Sequence, residues 1–221
     1  ATLAEAQAGQ GQIEAALQTF AEAARNAPDP APALLARARL LLSAGRAEEA
    51  VKELRQLERS RPASDEVKAL LAAALAQSGQ RETAVKYLRH AAAIAPRKLA
   101  YRLQLGELCR ELGQLDQALL HLDEARKIAP ADARVHLSLG QTYDERRQYD
   151  RSQAAYREAV RLNPRDPLAF FNAGLAFKKL KSYPEAIEML RRAAELDPKN
   201  RMVLRQLAAV SAMELVRGTA N

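Results

Sequence analysis

The stretch PLAFFNAGLAFKKLKSYPEAIEMLRRAAELDPKN, residues 167–200, is the clearest copy of a pattern that returns every 34 residues. Pro198, near the end of this stretch, belongs to a series of prolines with this spacing: Pro28, Pro62, Pro96, Pro130, Pro164 and Pro198. A period of this length is typical of repeat architectures, in which each copy is one supersecondary unit. We number the places of each repeat from 1 to 34, so that Pro167 holds place 1 and Pro198 holds place 32.

Other places of the repeat carry residues of constant size. Place 8 is small, with Ala4, Ala38, Ala72, Gly106, Gly140 and Gly174. Place 24 is bulky, with Phe20, Leu54, Leu88, Leu122, Tyr156 and Leu190. Such a pairing predicts two helices that approach each other closely at place 8. Between them a turn is expected to need positive φ, which glycine supplies at Gly11, Gly45, Gly79 and Gly113.

The composition favours helices. The chain of 221 residues is 48% hydrophobic, rich in alanine and leucine, and only 5% aromatic. Alanine, leucine, arginine and glutamate are strong helix formers, and β-branched residues are sparse, so we predict an all-α protein. In the repeat 65–98 we expect helices at Asp65–Ser78 and Glu82–Ile94. The aspartates near repeat starts are suited to cap first helices: Asp29, Asp65, Asp132 and Asp166.

The chain resembles the tetratricopeptide repeat (TPR) family, whose signature runs W-x2-L-G-x2-Y, A-x3-F, A and P. Residues 167–200 match it at Phe170, Gly174, Phe177, Ala186, Leu190, Ala193 and Pro198. The resemblance implies a right-handed superhelix, an α-solenoid of 34-residue helix-turn-helix units with one concave face. We expect a single TPR domain over 1–221, with a partial repeat at 1–30, repeats at 31–64, 65–98, 99–132, 133–166 and 167–200, and a capping helix at 201–217.

Some repeats depart from this signature. Arg147 and Lys181 stand where earlier turns have glycine. At place 4, where the family has a large aromatic residue, three repeats have Lys68, Arg102 and His136. We expect the residues immediately before them to pack in their place: Val67, Tyr101 and Val135.

No pattern in the sequence predicts catalysis or metal binding. Cys109 is the only cysteine, so an internal disulfide is excluded, and its place in the repeat predicts a buried residue. None of the three histidines has a partner at the spacing of a helical metal site, and no glycine-rich phosphate loop occurs. We therefore expect no enzyme, no cofactor and no metal.

In this family, places 2, 5, 6, 9, 12 and 13 of the first helix face the concave groove, which implies a set of partner-binding residues. These residues are Leu103, Glu107, Arg110, Arg134, Leu137, Gln141, Asp144, Leu168, Phe171, Asn172, Leu175, Lys178, Lys179, Met202 and Arg205. Neighbouring residues on a helix point about 100° apart, so Phe170 is expected to pack and Phe171 to contact the partner. Lys178, Lys179 and Arg205 would meet acidic groups of the ligand. The alternative is that curvature closes these residues against adjacent repeats.

The leading interpretation is a scaffold that binds a peptide or helix of another protein in its concave groove. The alternative is an oligomerising or structural module of a larger enzyme, regulator or secretion assembly, with self-association. The net charge of +7 is concentrated in residues 126–221, but no basic run interleaves with aromatics, so nucleic-acid binding is not expected.

The sequence has no membrane span and no signal-peptide pattern, so a cytoplasmic protein is expected, with a removed signal peptide as the alternative. The missing initiator methionine and the truncated first repeat predict a processed chain or a piece of a longer protein.

Overall fold

The computed structural model describes residues 2–219, and all regular secondary structure in that part of the chain is α-helical. Ala1, Ala220 and Asn221, which the predicted domain includes, lie outside the described residues. The helices are α1 (Thr2–Gly9), α2 (Ile13–Asn26), α3 (Ala31–Ser43), α4 (Ala47–Ser60), α5 (Asp65–Gln77), α6 (Arg81–Ile94), α7 (Leu99–Glu111), α8 (Leu115–Ile128), α9 (Ala133–Glu145), α10 (Tyr149–Leu162), α11 (Pro167–Lys179), α12 (Tyr183–Leu196) and α13 (Arg201–Thr219).

The predicted all-α fold is confirmed. The helices expected at Asp65–Ser78 and Glu82–Ile94 are α5 and α6, whose bounds differ from the prediction by one residue. The predicted capping helix is α13, which runs two residues beyond the expected end at 217.

The chain divides into two compact units, Ala1–Leu108 and Cys109–Asn221, and α7 crosses the boundary between them. In the first unit, α5 packs along α6 and against α4, while α3 contacts α2, α4 and α5. In the second unit, α9 pairs with α10 and α11 with α12, and α10 and α12 each also contact the following first helix. The first helices α9 and α11 are in contact as well. Each unit thus places a layer of first helices beside a layer of second helices.

The core of each hairpin forms where places 8 and 24 meet, as the sequence predicts. All six bulky residues at place 24 are buried. A Cβ atom added at Gly140 would lie 2.5 Å from two ring carbons of Tyr156, and one added at Gly174 would lie 2.7 Å from Cγ of Leu190. Because carbon atoms do not approach so closely, these glycines are required by the contact between the two helices.

The turns between first and second helices all use the left-handed backbone region. Gly11, Gly45, Gly79 and Gly113 have φ between 71° and 86°, which confirms the expected positive φ. Arg147 and Lys181 adopt the same conformation, with φ of 59°. The later repeats therefore keep the turn geometry without glycine, although a Cβ atom is unfavourable there.

The helix starts confirm only part of the capping prediction. Asp132 accepts a hydrogen bond from the Arg134 backbone N–H, and Asp166 accepts one from that of Leu168 (both 2.9 Å). The expectation for Asp65 is wrong, because Ser64 caps α5 instead. Asp65 accepts hydrogen bonds from the Tyr101 hydroxyl (2.8 Å) and the Lys98 ammonium group (3.2 Å), and its pKa lies below the usual value, first because of the Tyr101 bond.

Asp29 shows a related arrangement before α3. Its Oδ1 atom accepts a hydrogen bond from the Ala31 backbone N–H at 3.0 Å, although Pro30 is the residue that immediately precedes the helix. An aspartate near the helix start thus binds an N–H that the helix itself leaves without a carbonyl partner.

The substitutions at place 4 are compensated as predicted. Val67, Tyr101 and Val135, which hold place 3, are buried. In the repeat 167–200, Phe170 at place 4 is buried and forms a core cluster with Ala193 and Val203. Cys109 is buried, as its place in the repeat predicts.

Candidate functional site

Apart from Arg110 at the end of α7, the candidate residues of the second unit lie on α9, α11 and α13, which form a row of first helices. Asp144 on α9 accepts a hydrogen bond from the Lys179 ammonium group on α11 at 2.6 Å. Lys178, also on α11, donates to the Gln206 side chain on α13 at 3.0 Å. We call the surface formed by places 2, 5, 6, 9, 12 and 13 of these three helices the first-helix face.

Place 5 of this face is a packing position on α9 and α11. Leu137 is half-buried and packs against the cluster of Tyr156, Ala173 and Ala176. Phe171, at the same place of the next repeat, is half-buried as well. On α9 and α11, place 5 thus packs against the elements that follow, whereas Arg205 at place 5 of α13 is exposed.

The packing role predicted for Phe170 is present, and Phe171, the predicted partner contact, takes part in packing as well. Phe171 packs against two clusters, one containing Phe177 and Val210 and the other containing Phe170 and Val203. Both clusters include residues of α13, so the two phenylalanines need not face one core: α13 supplies packing partners for the second. A Phe171→Ala variant would consequently lose packing, and it is unsuitable as a pure test of binding.

Place 2 of α11 and α13 is the open apolar part of the first-helix face, whereas α9 has Arg134 there. Leu168 on α11 is 50% exposed and Met202 on α13 is 62% exposed. They hold the same place in consecutive repeats, and both are large hydrophobic side chains in contact with solvent. The neighbouring candidates Asn172, Leu175 and Gln141 are half-buried. The accessible surface thus combines exposed apolar side chains with amide groups.

The charged side chains of the face are mostly engaged with one another. Arg110 forms an ion pair with Glu145 at 2.5 Å, and Arg134 binds Asp132 at 2.6 Å. The Arg134 hydrogen bonds hold the pKa of Asp132 below its usual value. Lys179 is held by Asp144 and also lies over the Tyr149 ring, 5.3 Å from its centre.

Arg205 differs from the other predicted cations of the face. Lys178 and Lys179 already have protein partners. Arg205 is exposed, and no carboxylate of the described residues pairs with it. Of the three cations expected to meet acidic ligand groups, Arg205 is thus the one whose guanidinium group needs no rearrangement to bind an anion.

The two remaining candidates, Leu103 and Glu107, belong to the first unit. On α7, Leu103 is half-buried and Glu107 is exposed. The structure therefore brings together the candidates from Arg110 to Arg205, and it leaves Leu103 and Glu107 on the other compact unit.

Sequence reasoning missed Tyr149 as part of this surface. It lies at place 17, the start of a second helix, whereas the groove prediction considered first helices only. The available signal was the repetition of tyrosine at this place, since Tyr183 holds it in the next repeat.

Metal and membrane sites have no counterpart in the described part of the chain. Within residues 2–219 there is no group of three histidine, cysteine, aspartate or glutamate side chains suited to hold a metal ion. Over the same residues, none of the helices has the length and apolar character needed to cross a membrane.

The fold and the site together define an α-helical repeat protein of the protein-interaction class. The chain belongs to the tetratricopeptide repeat family, whose models match residues 3–74, 75–141 and 137–201. These matches confirm the family resemblance seen in the sequence. A search among curated proteins found no matching relative.

Solved structures with the same fold include MamA (41-end) from Desulfovibrio magneticus RS-1. It is 25% identical, with a TM-score of 0.68 over 74% of this chain and 93% of that one. PilF from Pseudomonas aeruginosa is 21% identical, with a TM-score of 0.74 over 86% of both chains. YrrB, described as a TPR protein with an unusual peptide-binding site, is 19% identical, with a TM-score of 0.66 over 84% of this chain and 96% of that one.

Family and fold support a general role as a protein-interaction scaffold, and proteins of this kind are typically non-catalytic.

Proposed function

We propose that the chain binds an extended peptide or a helix of a partner protein on the first-helix face of α9, α11 and α13. The observation that carries this proposal is the pair of exposed apolar side chains at place 2, Leu168 and Met202. Exposed large hydrophobic residues that cluster beside polar groups are typical of contact surfaces. Burying both on a ligand would favour binding by about 1.5–3 kcal/mol for each fully covered side chain.

The polar groups of the face suggest what the ligand offers besides apolar side chains. Arg205 is open to an acidic group, and Asn172 and Gln141 carry amides that can bind a peptide backbone. The Lys179–Asp144 and Lys178–Gln206 contacts are partly exposed, so a ligand can exchange with either partner at a small cost. We therefore propose a ligand with two apolar residues and a carboxylate.

The proposed role involves no catalysis, no cofactor and no nucleic acid. Two ion pairs of this region join different helices, Arg110 with Glu145 and Lys179 with Asp144, an arrangement that supports packing rather than proton transfer. The peptide-binding description of YrrB is compatible with this role, although that likeness at 19% identity concerns the fold.

The proposal is tested with a fluorescent peptide selected from a random library on the intact chain. Leu168→Glu and Met202→Glu, separately and together, should weaken its binding by roughly tenfold or more, because each places a charge where the ligand would cover an apolar side chain. Arg205→Glu should weaken the binding of acidic peptides specifically. The control is Leu120→Glu, since Leu120 on α8 is an exposed leucine away from the first-helix face.

All of these positions are exposed, so the melting temperature of each variant should stay close to that of the wild type. Peptide affinities unchanged in the Leu168→Glu, Met202→Glu double variant would overturn the assignment of this face.

A further inference from the structure

We infer that the second unit carries a further interaction surface, which binds an extended acidic segment of a partner protein. The surface is formed by the turns between first and second helices, at residues 146–151 and 180–185, and we call it the turn edge. It lies at the ends of α9 and α11 rather than along them, so it is separate from the first-helix face and goes beyond the function proposed above.

Neighbouring turns of the second unit are close enough to form one surface. Asp116, in the first turn of α8, forms an ion pair with Arg146 of the following turn at 2.5 Å. One repeat later, the Lys179 ammonium group at the end of α11 lies 5.3 Å from the centre of the Tyr149 ring at the start of α10. The turns of consecutive repeats are therefore in side-chain contact, and the turn edge is continuous.

The turn edge presents cations at place 15. Arg147 and Lys181 hold this place with φ of 59°, although such a conformation is unfavourable for a residue with a side chain. A Cβ atom added at Gly79 or Gly113, the same place in earlier repeats, would meet nothing within 4 Å, so a side chain here points into solvent. Both cations are exposed, and within residues 2–219 neither forms an ion pair with a carboxylate. They are thus available to a ligand.

Two more cations adjoin those at place 15. Arg151 is exposed and lies over the Tyr143 ring, 5.9 Å from its centre. Arg217 is exposed as well, and it donates a hydrogen bond to the backbone carbonyl of Lys181 at 3.3 Å. The positive charge therefore follows the edge from the first of the two turns to the second.

Two acidic side chains of the edge limit what can bind. Asp150 and Glu185 are exposed in the first turns of α10 and α12. Asp150 lines a hollow of about 310 Å³ together with Gln148 and Arg151. A polyanion with closely spaced charges, such as a nucleic acid, would bring negative groups against these acids, and like charges at an interface oppose binding. The edge thus fits separated negative groups better than a continuous run of them.

The spacing of the cations indicates the form of the ligand. Arg147 and Lys181 hold the same place in consecutive repeats, whose first helices α9 and α11 are in contact. Packed helices lie about 8–10 Å apart, and an extended chain rises about 3.3 Å per residue. Carboxylates three residues apart in an extended segment would therefore meet successive cations, with neutral residues between them beside Asp150.

The test uses three labelled ten-residue peptides of serine, glycine and charged residues. The first has glutamate at every third position, the second has the same glutamates in one continuous run, and the third has lysine in place of each glutamate of the first. Binding to the intact chain is measured by fluorescence anisotropy at low and high salt. A labelled single-stranded oligonucleotide is measured in the same way.

Two double variants separate the turn edge from net charge. Arg147→Gly with Lys181→Gly removes both cations at place 15 and introduces the residue that four other turns have there, so this variant should stay folded. The matched control is Arg165→Ala with Lys199→Ala. These exposed cations hold place 33 of the same two repeats, in the loops at the opposite end of the hairpins, so the control changes the net charge equally.

We expect the peptide with spaced glutamates to bind roughly fivefold or more tightly than the peptide with the continuous run, with an affinity that falls as salt rises. The lysine peptide should not bind. The Arg147→Gly, Lys181→Gly variant should lose roughly tenfold in affinity for the spaced peptide, whereas the control should stay within about twofold of the wild type. Melting curves verify that both variants are folded.

Four results would overturn the inference. The first is the absence of binding by the spaced peptide up to about 1 mM. The second is equal affinity for the spaced and continuous acidic peptides. The third is an equal loss of affinity in both double variants, since net charge alone would then account for binding. The fourth is an oligonucleotide that binds more tightly than the spaced peptide and depends on the same two cations, because a nucleic acid would then be the occupant.

Discussion

The repeats 65–98 and 133–166 have the same helical hairpin but place glycine at different points. In 65–98, Gly79 forms the turn with φ of 86°, and Ala72 holds place 8 in a buried position. In 133–166, Arg147 forms the turn with φ of 59°, and Gly140 holds place 8. The hairpin therefore has two distinct backbone requirements, and glycine meets a different one in each repeat.

The comparison shows which requirement is stricter. At the turn, a residue with a side chain can adopt positive φ at a cost of roughly 1–2 kcal/mol, because its Cβ approaches a carbonyl oxygen. At place 8, the space between the two helices decides whether a residue with a Cβ atom is accommodated. The buried Tyr156 ring leaves no room for a Cβ atom at Gly140, whereas the repeat 65–98 has the smaller Leu88 at place 24 and accommodates alanine. The size of the side chain at place 24 does not decide alone, because Gly174 lacks room for a Cβ atom beside Leu190, which is no larger than Leu88.

The largest loss of folding stability is expected from substitutions of the packing residues at places 3 and 4. The comparison here is between the repeats 133–166 and 167–200. Phe170→Ala should lower the free energy of unfolding by about 3–5 kcal/mol, because it removes a buried ring from the cluster with Ala193 and Val203. His136→Ala at the same place of 133–166 should cost about 1 kcal/mol or less, since Val135 holds the buried position there. Urea unfolding of both variants measures the difference, and equal losses would contradict the shift from place 4 to place 3.

An intermediate effect is expected at place 8. Gly140→Ala should destabilise the protein by about 1–2 kcal/mol, because overpacking against Tyr156 outweighs the gain in helix propensity. Ala72→Gly should also destabilise, by about 1 kcal/mol, since it removes a buried methyl group and loosens the helix. Thermal and urea unfolding test the pair. A Gly140→Ala variant more stable than the wild type would show that the helices separate easily.

The smallest effect is expected at the turns. Arg147→Gly should stabilise the protein by up to about 1 kcal/mol, because relief of the left-handed strain exceeds the added entropy of the unfolded chain. The matched control is Gly79→Ala, which should destabilise by about 1 kcal/mol. A Cβ atom at Gly79 would meet nothing within 4 Å, so only its backbone conformation is tested. Differential scanning calorimetry resolves such shifts, and a loss of stability in Arg147→Gly would indicate that the arginine side chain contributes more than the strain costs.

Much of the fold could be predicted from the sequence because the repeat encodes local requirements. Small residues at place 8, bulky residues at place 24 and glycine in the turns are visible as letters, and each has one physical reason. The capping of α5 was less predictable, because Ser64 and Asp65 are both good caps and only the position of Tyr101 decides that Asp65 turns away.

The sequence predicted which places of the repeat belong to the candidate site, but it was a much poorer guide to which of these side chains are exposed. Places 2, 5, 6, 9, 12 and 13 come from the family pattern, but the pattern does not tell which of them the next first helix covers. Phe171 is the clearest case, because its side chain meets α13 while Leu168, three residues earlier, remains exposed. The engagement of Lys179 by Asp144 and Tyr149 likewise depends on three different helices.

The sequence by itself determined the helical hairpin, its length and its turn, since these depend on residues close together in the chain. The tertiary structure decided which apolar side chains stay open, because burial depends on elements far apart in sequence. Leu190 and Leu204 have the same chemistry, yet Leu190 is buried against the preceding first helix and Leu204 faces solvent. The difference arises because a helix packs over Leu190, whereas within residues 2–219 no corresponding helix packs over Leu204.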